Sequence, residues 1–255
     1  MSISDGLSHP RLEGVRIACP PLPRNAGFGV LDLPFSLELR SSRQRHPIDA
    51  IGLELRVAFT IIASGDSADD EHSFWRRKCR ELILRPAVEP LLLAHWSKLK
   101  SLEMTELQVA SFSSLQVGSK VEARTKHCYG LWDGGNVRFE AADQARTWWK
   151  DIQAVASEPE LASILPAYAF ARTIIAHPYP DGNGRLARAL VHASLARTAG
   201  LSAPALPLAP AFYLNATEVA AGLRNLSATG DWNAFSRVFD RVLGAAVALV
   251  RRHPC

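Results

Sequence analysis

Apolar residues change their spacing several times along this chain, and each change marks a predicted element. Ile51, Leu53, Leu55, Val57, Phe59 and Ile61 alternate with Gly52, Glu54, Arg56, Ala58 and Thr60. This period of two predicts a half-buried strand ending near Ser64-Gly65-Asp66. Ile51, Leu55, Phe59 and Ile62 could also line a helix, but the β-branched content favours the strand. Trp75, Leu82, Leu84, Val88, Leu91, Leu92 and Trp96 fit two or three helices divided by Pro86 and Pro90. From Cys128 to Glu140, Tyr129, Leu131 and Trp132 precede Asp133-Gly-Gly-Asn136, with Val137 and Phe139 following, which predicts a short β-hairpin.

The second half reads as helices. Ser157-Glu-Pro-Glu160 has the form of a capping box and predicts a helix start. Leu161, Leu165, Tyr168, Ile174 and Ile175 continue that face to Ala176, with Pro166 expected to bend its early part and His177 at its end. The Ala- and Leu-rich run from Arg185 predicts a second helix, closed by Gly200. A third begins at Asp231 and carries Trp232, Phe235, Phe239, Val242, Leu243, Ala246 and Val250 on one stripe. By contrast, the first fifty residues hold Pro10, Pro20, Pro21, Pro23 and Pro34 with Arg40, Arg43 and Arg45. Residues 1–47 therefore read as an extended arm, and 48–125 as a strand followed by helices.

Composition narrows the class. The chain has 255 residues, 47% hydrophobic and 21% charged, enough for one substantial core plus a smaller appendage. A formal charge of +4 is mildly basic, but Lys and Arg are interleaved with Asp and Glu, so nucleic-acid binding is not favoured. No apolar run is long enough to span a bilayer, and the N-terminus lacks a secretory pattern, so a cytoplasmic protein is expected, with export as an effector left open. Cys19, Cys79, Cys128 and Cys255 are too irregularly spaced for a metal or redox motif and read as free thiols.

Candidate chemistry concentrates between the first two of those helices. Asp181-Gly182-Asn183-Gly184 joins directly to a helix, combining permissive backbone, exposed amides and the positive end of a helix dipole. Arg185 and Arg188 lie three apart in the first turns, where cations oppose the dipole unless an anion sits between them. His177 supplies a base and Asp181 an oxygen ligand for Mg²⁺. Gly-Asn-Gly-Arg has no Walker lysine, which excludes a P-loop.

Read in full, His177-Pro-Tyr-Pro-Asp181-Gly-Asn-Gly-Arg185-Leu-Ala-Arg188 resembles the Fic motif, H-x-F-x-D/E-G-N-G-R-x-x-R, with Tyr179 in place of phenylalanine. The hairpin near 128–140 is similar to that family's target-binding flap, and the helices from about 157 to 250 resemble its core. Residues 126–255 thus read as a Fic-type catalytic core, and the fold as mainly α with a short hairpin flap. The N-terminal hundred residues carry no such signal.

The resemblance implies transfer of AMP from ATP to a Ser, Thr or Tyr hydroxyl of a protein. His177 would deprotonate that hydroxyl and Asp181 would hold Mg²⁺. The amides of Gly182, Asn183 and Gly184 would cradle phosphate oxygens. Arg185 would pair the β or γ phosphate, and Arg188 would reach the γ phosphate. The target would add as a strand to the 128–140 hairpin. Tyr179 would anchor the loop, its hydroxyl finding water or a partner.

Rival expectations are transfer of UMP, phosphate or phosphocholine on the same fold, and a non-catalytic interaction module. The glycine at 184 argues against the phosphate-transferring form, which has lysine there. The family's inhibitory pattern, S/T-x-x-x-E-G/N, has no strict match. Glu13 lacks the hydroxyl residue at the required spacing and Glu71 lacks the final Gly or Asn, so restraint is expected from a separate antitoxin-like protein or not at all. His192 reads as a packing or surface residue instead of a second base, Trp148 and Trp149 read as core residues, and Arg40, Arg43 and Arg45 as a solvated linker, with a partner-docking arm as the alternative.

Overall fold

A computed structural model describes residues 15–23, 96–132, 135–199 and 206–252. The expected strand at 51–61, nearly all of the helices expected at 73–104, and the glycine stop at 200 lie outside the described residues.

Two helices at the centre follow directly from their composition. Helix α5, Leu165–Ala176, buries every residue except Ile174, as a helix that is apolar all round must. Its only proline, Pro166, lies in the first turn, where no N–H is needed. Pro166 therefore starts α5 instead of bending it. Helix α6, Asn183–Ala199, packs against α5 more extensively than any other pair of the described elements packs. Ala169, Ala171, Ala187 and Ala193 are fully buried, so small side chains bring the two helices close.

Around this pair stand α1 (Trp96–Ser101), α2 (Glu106–Val117), α3 (Ala142–Ala145), α4 (Trp148–Ser157), α7 (Leu208–Leu214), α8 (Ala216–Thr229) and α9 (Trp232–Arg252). Helix α9 presents the expected stripe, with Trp232, Phe235, Phe239, Val242, Leu243 and Ala246 buried. Asp231 begins it, its Oδ1 accepting the Ala234 amide at 2.9 Å. Phe170 on α5 stacks on Phe212 of α7 at 4.3 Å, tying the outer helices to the centre. Trp148 and Trp149 are core residues as expected, and Trp149 Nε1 donates to the Met104 carbonyl at 2.6 Å.

The helix predicted to start at Ser157 is corrected. Ser157 instead closes α4, its hydroxyl donating to the Ala154 carbonyl at 2.7 Å. One 3₁₀ turn, Pro159–Leu161, separates it from α5. A capping serine must sit in extended backbone, and the buried run Trp148, Trp149, Ile152 and Val155 carries the preceding helix past that point. A true capping box occurs at Thr105, whose hydroxyl accepts the Gln108 amide while Gln108 Oε1 accepts the Thr105 N–H at 2.8 Å.

The hairpin forms as predicted. In a three-stranded sheet of order β1-β3-β2, β2 (Tyr129–Trp132) runs antiparallel to β3 (Gly135–Arg138), and β1 (Val15–Arg16) adds parallel to the other edge of β3. Below the sheet, Arg172 of α5 reaches Glu140 at 2.6 Å and Asp151 at 2.9 Å, so a buried cation joins the foot of the hairpin to α4 and α5. Among the described residues, no helix is long and apolar enough to cross a membrane.

Tyr179, in the turn between α5 and α6, is 1% exposed and packs edge-on against Trp148 with ring centroids 6.2 Å apart. The anchor forms, and its buried hydroxyl meets no hydrogen-bonding protein group among the described residues. A buried orphan hydroxyl is destabilising, so Tyr179→Phe should raise stability by about 1 kcal/mol, measured by urea denaturation. A loss of similar size would show that the hydroxyl is satisfied.

Candidate functional site

The turn from His177 to Gly182 reverses the chain between two buried helices, and its backbone is held at both ends in the left-handed region. His177 ends α5 at φ 45°, ψ 57°, with its N–H on the Thr173 carbonyl. Gly182 precedes α6 at φ +83°, where an added Cβ would lie 2.7 Å from a Val117 methyl. Only glycine meets both demands. Between them, buried Asn183 folds its amide back onto Tyr179, accepting from its N–H at 3.1 Å and donating to its carbonyl at 2.7 Å. Asn183 thus locks the loop through its side chain, a job distinct from offering its backbone amide to a ligand.

This lock aims the polar groups at the start of α6. Leu186 makes that helix's first backbone bond, to Gly182, so the amides of Asn183 and Gly184 precede the internal ladder. Gly182 N–H donates to Asp181 Oδ1 at 2.6 Å, and Arg185 Nη2 reaches Asp181 Oδ2 at 3.3 Å. Asp181 is 69% exposed, whereas Arg185 is 18% exposed. One carboxylate is thereby oriented at the open mouth of an amide cradle. Arg188 folds back over the same turn, with Nη1 3.5 Å from where a Gly184 Cβ would stand and its guanidinium 5.4 Å from the centre of the Tyr213 ring. Glu13 and Glu71, the sequence's candidates for restraining Arg188, lie outside the described residues.

His177 sits at the inner wall. Its ring stacks on Phe139 at 4.0 Å and 18°, and Nδ1 is buried without a hydrogen bond of normal geometry. Burial holds its pKa down to about 4. The Ile174 backbone opposes that shift, the nearby Arg124 charge contributes to it, and Asp181 opposes it. At neutral pH the imidazole is therefore uncharged, the form that accepts a proton. His192, further along α6, is buried, the packing alternative of the two expected, with a pKa lowered to about 3 by burial and then by Arg188.

His177, Asp181, Gly182, Asn183, Gly184, Arg185 and Arg188 thus occupy one loop and the first two turns of one helix. Sequence reasoning missed the support around them. Arg124 sends four bonds to the loop and to the residues flanking the hairpin through one buried guanidinium, yet in sequence it is one charge in a polar run. Arg172 did leave a signal, as a lone cation in the otherwise apolar run Tyr168-Ala-Phe-Ala-Arg-Thr-Ile-Ile175. Phe139 was visible as part of the hairpin, but its stacking on His177 was not. Cys19 is a free thiol, as expected, and burial pushes its pKa up to about 12, against a reactive role.

No protein-family model and no curated protein sequence matches the chain. Solved structures do. The chain is similar to a Fic family protein from Desulfovibrio desulfuricans G20, with a TM-score of 0.53 and 12% identity over 89% of this chain and 66% of that one. It is also similar to a Fic domain containing signaling protein from Bacteroides thetaiotaomicron VPI-5482, with a TM-score of 0.53 and 14% identity over 85% of this chain and 91% of that one. The chain spans less than two thirds of the Desulfovibrio protein's length. At such identities the likeness establishes architecture, and on that ground the molecule has the Fic fold, a mainly helical core carrying a β-hairpin.

Proposed function

We propose that this protein transfers AMP from ATP to a hydroxyl of a target protein. The observation that carries the proposal is a half-buried histidine, its Nδ1 enclosed, at one end of a six-residue loop whose other end is a helix N-terminus flanked by Arg185 and Arg188. Phosphoryl chemistry asks little covalent work of a protein. It requires positioning, proton removal and neutralisation of spreading charge, and the loop has one group for each.

His177 takes the proton of the target hydroxyl, whose oxygen attacks the α phosphorus as pyrophosphate leaves. Proton removal by a placed base contributes ~10²–10⁴-fold. The amides of Asn183 and Gly184 donate to phosphate oxygens, Gly182 N–H joins them on leaving Asp181 Oδ1, and the α6 dipole favours the negative charge there. Arg185 pairs the β or γ phosphate and Arg188 the γ phosphate, as charge-assisted bonds. The hairpin holds the target as an added strand, offering its backbone groups more than its side chains.

Mg²⁺ fits this donor set. Among the described residues no three His, Cys, Asp or Glu groups converge on a metal, and Asp181 is one exposed, oriented carboxylate. Mg²⁺ commonly takes one or two carboxylates and completes its shell with substrate phosphates and water. Asp181 would hold the ion, which would supply neutralisation of phosphate charge.

Incubation with lysate and either α-labelled or γ-labelled ATP tests the proposal, with α-labelled UTP run in parallel. Protein label is expected from α-labelled ATP alone, and His177→Ala should reduce it at least about a hundredfold. Label from the γ position would instead indicate phosphate transfer, and none from any donor would leave an interaction module.

The depressed His177 pKa sets the pH dependence. The base form is complete above about pH 5 and is lost as pH falls through about 4. kcat/KM should therefore hold level between pH 7.5 and pH 6, where an ordinary histidine would lose roughly three quarters of its base form. A half-maximal point near pH 6.5 would contradict the desolvated setting of the ring.

A further inference from the structure

The last carbonyls of a helix need partners, and α5 ends inside the protein where water is scarce. Its final turn is completed by the foot of the hairpin. Glu140 N–H donates to the Ile175 carbonyl at 3.3 Å. Arg124 does the rest. Its Nη2 donates to Ala176 O at 2.8 Å and also to Glu140 O, its Nε to His177 O at 2.7 Å and its Nη1 to Lys126 O at 2.9 Å. Its own N–H donates to Pro178 O at 3.0 Å.

We propose that Arg124 is a positioning residue for the transfer reaction, one guanidinium that fixes the left-handed His177 turn and the foot of the hairpin in a single register. The inference rests on the AMP-transfer reading for its functional consequence but not for its structural one. All four side-chain acceptors are backbone carbonyls, two on the base's turn and two flanking the hairpin, at Lys126 before β2 and Glu140 after β3. A target strand added to the hairpin is thus registered against the base through this one group. Only arginine has the planar fork to reach four such acceptors at once; lysine offers a single point of attachment. Buried Arg124 is 9% exposed and makes no direct ion pair among the described residues, so its charge remains felt by its surroundings.

Charge adds to geometry. Among the described residues, four groups face the His177 ring: Arg124 from the segment before β2, Asp181 from the loop, the Ile174 backbone from α5, and the uncharged Phe139 ring after β3. Arg124 is the one cation among them and disfavours a second positive charge on the imidazole. Lysine keeps that effect while losing the fork, and methionine loses both, so the two substitutions separate positioning from charge.

The test combines steady-state kinetics with NMR of the His177 ring in wild type, Arg124→Lys and Arg124→Met. In both variants kcat should fall about a hundredfold, as misplacement of a reacting group does, with KM for ATP within twofold. The ring titration should move upward in Arg124→Met but stay near wild type in Arg124→Lys. In the unmodified protein, the Arg124 Nε–H should exchange slowly with solvent, which needs no variant to fold. A freely exchanging Nε–H, or wild-type kcat and ring titration in both variants, would overturn the proposal. Should wild type transfer no AMP, the functional reading fails, while the exchange and titration results still decide whether Arg124 holds His177.

Discussion

Everything in this site depends on how the chain turns back between two buried helices. Neither α5 nor α6 can slide, because small and large apolar side chains pack both on nearly every face, and only a few residues are left to reverse direction. The left-handed backbone at His177 and Gly182 makes the turn, and the Asn183 amide closes it onto Tyr179. An Asn side chain reproduces the backbone pairing that a strand neighbour would offer, which is why it can hold so tight a loop from a helix's first position. The polar groups that point outward do so because these inward-facing ones are satisfied.

Charge is distributed along the same line. Arg172 is enclosed by carboxylates and ties the helices to the foot of the hairpin. Arg124 is enclosed by carbonyls and ties that foot to the turn. Arg185 and Arg188 stand instead at the positive end of α6, where a cation opposes the dipole; Arg185 meets Asp181 there at 3.3 Å and Arg188 lies over the Tyr213 ring. Two arginines therefore serve architecture and two stand at the mouth of the loop, where a cation does nothing for the helix dipole and can serve a ligand. A mildly basic chain needs no nucleic acid to explain its arginines.

The polar loop was legible because its groups are contiguous in sequence, so the spacing from His177 to Arg188 carries the geometry with it. The hairpin, α6 and the stripe of α9 were legible for the same reason: each is a local period. What was not legible depends on distance. Arg124 meets Ala176 and His177 across more than fifty residues, and nothing in Glu122-Ala-Arg-Thr-Lys126 distinguishes it from a solvated charge run. Local rules also failed where tertiary burial prevailed. Ser157 has the spacing of a helix start, yet the apolar face upstream holds it inside the previous helix. Pro166 looks like a bend and instead begins α5, because the preceding turn had already ended the helix before it.

The central claim is that this loop delivers a nucleotide to protein hydroxyls. Its most direct test is mass spectrometry of cellular proteins after brief expression of wild type and of His177→Ala. The account predicts AMP on Ser, Thr or Tyr side chains with wild type and its absence with the variant. The same modified residues at the same occupancy in both samples would contradict it.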